Sequence, residues 1–432
     1  MPLQGVIVSL KSTGRIALIA AAAAAVAVST TGIAQAADQG VSKTEIVLGT
    51  TVPLTGPAAP GYKDIAPASA AYFDYVNKNG GINGRKVRLV IKDDQYNPAS
   101  TVTATNELIL NDKIFALFGA LGTAQHSAVI DTLKSQNVPD LFPNSGDSVF
   151  DNVYLYPKTF PYFPSYVVEA KAMAYYIANT PTLASKKACF FYQEGDFGGN
   201  AASGFTAAGL NFAAQASYVS GSQVQPFAAQ IVKLKTAGCE LVAFFGVPSA
   251  TANMLGTSAK VAFNPIWMVS SVGSEPTILN GLLGASSKAL MNKMYTPSFL
   301  TPTSDVGNPY VKQMKAIAEG AGLPWNFFTY YGINTAYVAA QALKAAGPNL
   351  TRAGLVNVLQ SKSLTFKSAA SVPFLYAKNS HQGLTGYWMG QYDSDGNLGR
   401  ITDYVMLATS SQTGQAKKAI FKQSAAPKKL LP

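Results

Sequence analysis

The sequence predicts an α/β protein built as two doubly wound parallel-sheet lobes. Three observations point there. Short apolar runs of strand length alternate with helix-length segments, and this order occurs twice. A proline-broken stretch, Asp151 to Phe163 with Pro157 and Pro161 and then Pro164, separates the two series. The 432 residues are 48% apolar and only 13% charged, so the chain can fill two sizeable cores.

Taken in order, Lys11 and Arg15 precede an apolar run, Ile16 to Val28, and then Ala34-Gln35-Ala36. A basic start, an apolar centre and an A-x-A end form a secretory signal peptide, here residues 1–36 with cleavage after Ala36. The run is shorter than the ~20 residues a membrane helix needs. No Cys stands at the cleavage point, so a lipid anchor is not expected. Export to the periplasm or another extracytoplasmic space follows. Without Lys11 and Arg15 the formal charge falls from +11 to +9. Scattered Lys and Arg without interleaved aromatics argue against a nucleic-acid surface.

In the first series Glu45–Thr51 reads as a strand and Ile65–Asn77 as a helix ended by Asn79-Gly80-Gly81. Lys86–Asp94 is a second strand, Ala99–Asn111 a helix opened by Asn97-Pro98, and Ile114–Phe118 a third strand. Ala124–Gln136 is a helix and Pro139–Phe142 a short fourth strand. The second series reads helix Tyr166–Ala178, strand Ala188–Gln193, helix Gly198–Ala214 and strand Ala216–Val219. Helix Phe227–Ala237, strand Glu240–Gly246, helix Ala250–Val261 and strand Ile266–Ser270 complete it. Beyond, Met294–Phe299 is a further crossing. Tyr310–Glu319, Gly332–Ala346 and Arg352–Gln360 are helices, the last with Thr351 as N-cap, and Tyr387–Tyr392 and Ile401–Leu407 are strands. Residues 409–432, with five Lys among Ala, Ser, Gln and Pro, read as a flexible basic tail.

The stretch Phe115–Val129 is the candidate binding element. A strand runs into the turn Gly119–Gly122 and then a helix, leaving N–H groups that attract an anion. It lacks the Lys of a nucleotide phosphate loop, so a small carboxylate held by Thr123 and the Leu121–Thr123 amides is the expectation. His126, three residues on, reads as a solvent-facing helix residue. Cys189 and Cys239 both open apolar runs; adjacent parallel strands would bring their sulfurs together in a disulfide, while buried free thiols are the alternative. Two distant His and two Cys make no metal-ligand spacing, and no G-x-S-x-G elbow occurs. No cofactor and no enzymatic activity are expected.

The ordered fragments T-V-P-L-T-G-P, N-G-G-I-N-G-R-K-V, K-D-D followed by N-P-A, F-G-A-L-G-T, V-P-D-L-F-P, Y-Q-E-G-D-F-G and I-V-K-L-K-T-A-G resemble the type I periplasmic solute-binding proteins of the branched-chain amino acid (Leu/Ile/Val) ABC transporters. The resemblance spans about Ile46 to Leu407. It implies two lobes joined by three crossovers, lobe 1 from 41–160 with 297–385 and lobe 2 from 161–296 with 386–408. It also implies a monomer that delivers a small molecule to a membrane permease. Carried onto this sequence, Thr123 would hold the ligand carboxylate by its hydroxyl and N–H, with Leu121 and Gly122 on the wall before it. Asn144, Ser145 and Gly146 form the second loop, with Gly146 where a hydroxyl residue is expected. Phe197 and Val247 stand where Tyr residues are common, and Ser271 near the position of the acid that pairs with an α-ammonium. Tyr62, Tyr162, Phe163, Tyr166 and the run Phe327–Tyr331 make an aromatic lip. With no acid at Ser271, a hydrophobic or aromatic carboxylate is preferred over a branched-chain or other amino acid. Glu275, Asp147 and Asp196 are the candidates that could still meet an ammonium. A ligand sensor for a membrane signalling partner is the alternative role.

Overall fold

The computed structural model describes residues 38–222, 224–361, 364–411 and 413–432. The expected signal peptide lies outside the described residues.

The first sheet is fully parallel. Its strands are β1 (Glu45–Val52), β2 (Lys86–Asp93), β3 (Ala116–Phe118), β4 (Asp140–Leu141) and β5 (Thr159–Phe160), in spatial order β2-β1-β3-β4-β5. All but the first residue of β1 are buried, as expected of a strand covered on both faces. Asn97 caps the helix Pro98–Leu110 by accepting from the Ala99 and Ser100 N–H groups, with Pro98 at the first helical position.

The second sheet holds β6 (Ala188–Gln193), β7 (Gln215–Tyr218), β8 (Leu241–Phe245), β9 (Ile266–Val269), β10 (Tyr295–Ser298), β11 (Gly386–Tyr392), β12 (Leu398–Arg400), β13 (Val405–Leu407) and β14 (Lys417–Ala419). From β7 through β6, β8 and β9 to β10 the pairing is parallel; β11, β13 and β14 add antiparallel strands, and β12 pairs with β11. β6 and β8 are neighbours, with Cys189 opposite Val242. Cys239 enters β8 just ahead of that register, and the two cysteines form a disulfide with Cα atoms 5.8 Å apart.

The chain returns to the first lobe after β10. The helix Phe327–Ala345 packs on Ile65–Lys78, where Gly332 approaches so closely that a Cβ would lie 2.3 Å from the Ile65 carbonyl oxygen. Arg352, at the start of the helix Arg352–Leu359, ties that helix to the first lobe through the Ile114 and Phe115 carbonyls at 2.8 and 2.9 Å.

Several expectations change. Pro297 and Ser298 belong to β10 and so to the second lobe's sheet, because they pair with Met389 and Trp388. The single helix expected over Ala124–Gln136 is two, Thr123–Ser127 and Ile130–Ser135, broken where Val129 joins a small apolar cluster with Leu108, Ile114 and Leu117. A helix at Pro276–Leu283 was not anticipated, although Glu275-Pro276 is a good start signal. The segment 409–432 is anchored rather than a free extension. β14 pairs with β13, the buried Lys171 ammonium donates to the carbonyls of Thr409, Ser411 and Thr413, and Leu430 is fully buried with its carbonyl accepting from Tyr72 at 2.9 Å. Lysine-rich composition signals solvation of the side chains; here the backbone and the interspersed apolar residues make the contacts.

Candidate functional site

The carboxyl ends of both sheets face a gap between the lobes, the position where open α/β sheets bind ligands. The gap is shut. Asn200 of the second lobe accepts from the Ser148 N–H (3.1 Å) and hydroxyl (2.6 Å) and donates to Asp147 (3.1 Å) of the first. The Ser249 hydroxyl donates to the Pro57 carbonyl at 3.0 Å, and the Tyr62 hydroxyl to the Val272 carbonyl at 3.2 Å. The Phe327 N–H donates to Glu275 at 3.3 Å. Every one of these bonds crosses from one lobe to the other, so the structure is a closed form.

Inside lies a small cavity of about 30 Å³. Of the residues expected at the site, Tyr62, Leu121, Gly122, Asn144, Phe163, Phe197 and Ser271 line it. Tyr166, Phe327 and Tyr331 from the aromatic lip also line it, and Tyr166 lies against Phe197 with ring centres 4.5 Å apart. Tyr162 does not: just past the first crossover, it is fully buried against the first lobe, where Asn334 donates to its hydroxyl at 2.6 Å.

Thr123, Ser145 and Gly146 sit behind the wall. The Thr123 and Ser145 hydroxyls are 2.8 Å apart and buried. The Tyr166 hydroxyl reaches the same pair and the Gly146 backbone; burial pushes its pKa up, and these three partners pull it back. Gly146 is what admits that ring, since a Cβ there would lie 2.7 Å from Tyr166 Cδ1. The absent hydroxyl side chain thus makes room for a phenol.

The amide expectation is corrected in part. The Leu121 N–H donates to the Thr51 carbonyl at 2.9 Å and the Gly122 N–H to the Asn144 carbonyl at 3.3 Å. The sheet ladder continues past Phe118, so these donors are engaged in it. What remains is the start of the helix Thr123–Ser127, which has no side-chain cap. Val247 is also corrected: it is fully buried at the N-cap of Pro248–Lys260, with its N–H 3.4 Å from the Tyr218 hydroxyl. His126 is buried, not solvent-facing, and its Nε2 lies 2.8 Å from Asp140 Oδ2 at the end of β4. The periodicity of so short a helix could not show which side meets the sheet.

The acids proposed to meet an ammonium are otherwise occupied. Glu275 caps Pro276–Leu283 through the Ile278 N–H at 2.7 Å and holds Phe327. Asp147 accepts from the Val149 N–H and from Asn200, and Asp196 is exposed at a helix start. The carboxylate beside the cavity is Glu169, which the sequence reading missed. It lies in the first turn of Tyr166–Ala178, is fully buried, and accepts from the Ser271 N–H at 2.6 Å and the Tyr387 hydroxyl at 3.4 Å. Burial pushes its carboxyl up to about 7, against the pull of the Ser271 N–H and the Tyr387 hydroxyl. Tyr96, in the loop after β2, and Val272 complete the lining that was not foreseen. For Tyr96 the signal was available: it follows the carboxyl end of a strand. For Glu169 there was none, because one acid in an apolar helix reads as its exposed face.

Among the residues lining the cavity none carries a charged side chain. The Asn144 amide nitrogen and the Ser271 and Tyr331 hydroxyls, all on that wall, are buried without a hydrogen-bond partner among the described residues. Nor do the described residues group three or more potential metal ligands. Two lobes shut over an aromatic cavity with a few open polar groups define a solute-binding protein. The chain belongs to the periplasmic binding protein family, whose profile matches residues 45–397. A "Leu/Ile/Val-binding protein homolog 3" of Brucella melitensis is 26% identical over 323 residues, 72% of this chain and 80% of that one. Among solved structures, a branched-chain amino acid ABC transporter protein of Thermus thermophilus with bound valine matches with a TM-score of 0.73 at 19% identity, covering 86% of this chain and 98% of that one. A fatty acid ABC transporter substrate-binding protein of Thermomonospora curvata matches with a TM-score of 0.74 at 21% identity, covering 89% and 98%. These relatives are binding proteins, and among the described residues no helix is long and apolar enough to cross a membrane.

Proposed function

We propose that the protein is the extracytoplasmic receptor of an ABC importer and that it closes around a small carboxylate with a hydrophobic or aromatic body. The observation that carries this reading is the lining itself: aromatic walls, no charged side chain, and the unpartnered Asn144 amide and Tyr331 hydroxyl as donors. Aromatic surfaces favour apolar bodies, and open buried donors favour an acceptor group on the ligand. Residues 1–36 serve as the export signal in this reading, the receptor works as a monomer, and its partner is the importer's membrane permease.

The second reading, a branched-chain or other amino acid, is favoured by Glu169 behind Ser271 and by the Leu/Ile/Val-binding homologue and the valine-bound structure among the relatives. A thermal-shift screen of amino acids against amine-free aliphatic and aromatic acids, followed by calorimetry on the hits, decides between them. Tight, reversible binding of amine-free acids is expected. Binding confined to amino acids would overturn the preference, and consumption of the ligand on long incubation would overturn the receptor role.

A further inference from the structure

Glu169 is an unusual residue for a binding lobe. A fully buried carboxylate normally has a cation beside it or stays neutral. None of the ion pairs among the described residues includes Glu169. The cation on its own helix, Lys171, turns away to the carbonyls of Thr409, Ser411 and Thr413. The titratable groups that act on Glu169 are phenols: Tyr387 from β11, which donates to it, and Tyr62 and Tyr166, which line the cavity. Of the other nearby acids, Glu275 is engaged at its helix cap and Asp196 is exposed. The connection to the cavity is Ser271, which lines it and donates its N–H to Glu169, while its own hydroxyl is buried without a hydrogen-bond partner among the described residues.

We propose that Glu169 reads the charge of the ligand: as a carboxylate it supports an ammonium group presented at Ser271, and as a neutral acid it favours a ligand that lacks one. The inference rests on the receptor reading above and refines its ligand class. The physical reason is that a buried charge without a counter-charge is unfavourable whichever ligand enters. An ammonium supplies the missing cation, with the unpartnered Ser271 hydroxyl on the cavity wall as its acceptor. A ligand whose only charge is a carboxylate adds a second negative group to the same low-dielectric space and fits better when Glu169 holds a proton.

The sign of the pH dependence follows. Free Glu169 titrates near 7. An ammonium ligand favours the ionised form, so its affinity rises with pH below about 7 and levels off above. An amine-free acid favours the protonated form, so its affinity is level below about 7 and falls above. One linked proton limits either slope to about tenfold per pH unit.

The test uses a matched pair, L-leucine and 4-methylpentanoate, which is leucine without its ammonium. Both are titrated by calorimetry from pH 6 to 8.5 against the wild type and Glu169→Gln. In the wild type the leucine-to-acid affinity ratio is expected to rise roughly tenfold or more over that range; in the variant it stays flat. A flat ratio in the wild type, or an equal rise in the variant, overturns the proposal. Should the variant fail to fold, leucine titrations of the wild type at pH 6.5 in two buffers of different ionisation enthalpy replace it. Proton release is then expected, and none would overturn the proposal. If the acid binds and the ratio is flat, this inference alone fails; if neither compound binds, the carboxylate reading fails and takes the inference with it.

Discussion

Asn200→Ala should open the cleft. In the closed form the Asn200 side chain makes three bonds to the opposite lobe, to the Ser148 N–H and hydroxyl and to Asp147. A fourth, to the Asp196 carbonyl within its own helix, fixes its orientation. An open form makes none of the three, so their loss acts on the closing equilibrium alone. A neutral hydrogen bond contributes about 0.5–1.5 kcal/mol net, and one to a charged group about 1.5–3. The three share one side chain and Asn200 is half-buried, so water recovers part of the loss and the terms do not add. A net cost of about 2 kcal/mol is expected, roughly thirtyfold in the closed-to-open ratio and up to that factor in ligand affinity if only the closed form holds the ligand, the full factor when the unliganded protein is mostly open. Asn200→Asp, which sets a second carboxylate against Asp147, should cost more. The assay is calorimetry with a solute identified by thermal shift, paired with small-angle scattering of the unliganded protein. Affinity within twofold of wild type and an unchanged radius of gyration would refute this account of closure.

Thr123→Ala removes one of the hydroxyls beneath Tyr166; because Thr123 lies behind the cavity wall, the loss of a neutral hydrogen bond should weaken binding by about 0.5–1.5 kcal/mol, roughly two- to tenfold, and a larger loss would show that this hydroxyl meets the ligand itself. Replacing Cys189 and Cys239 by Ser releases a loop of 50 residues' separation, so the second lobe should lose about 4 kcal/mol in urea unfolding; reductant should do the same to the wild type and nothing to the variant. Lys171→Met keeps the buried stem but strands the carbonyls of Thr409, Ser411 and Thr413. Faster limited proteolysis within 409–432 is expected, and an unaltered cleavage pattern would show that these bonds do not hold the segment.

The fold was legible because its signals are local. Tyr166–Ala178 and Ala188–Gln193 have the boundaries read from the sequence, since Ser165 and flanking turn residues mark them. The expected cap Thr351 accepts from the Gly354 N–H at 2.9 Å. Where the signal was weak the reading slipped: Phe327–Ala345 begins five residues before the expected Gly332, because aromatic residues were read as a lip although Asn326 forms a capping box with Thr329. The site was legible only as a set of loop positions. Tyr62, Leu121, Gly122, Asn144, Phe163, Phe197 and Ser271 reach the cavity. Val247 does not, because one residue's shift along a strand end exchanges cavity for core.

The amino-acid sequence by itself determined the alternation of strands and helices and the ends of those strands, and with them the family. Those features depend on neighbours along the chain. Only the tertiary structure decided what each polar group does there: that Tyr166 fills the space left by Gly146, that the Leu121 and Gly122 amides stay in the sheet, that residues 409–432 are anchored, and that Glu169 stands behind Ser271. Each of these is a contact between segments far apart in sequence, and burial at such a contact, not residue type, sets whether a carboxyl is a solvated charge or part of a binding site.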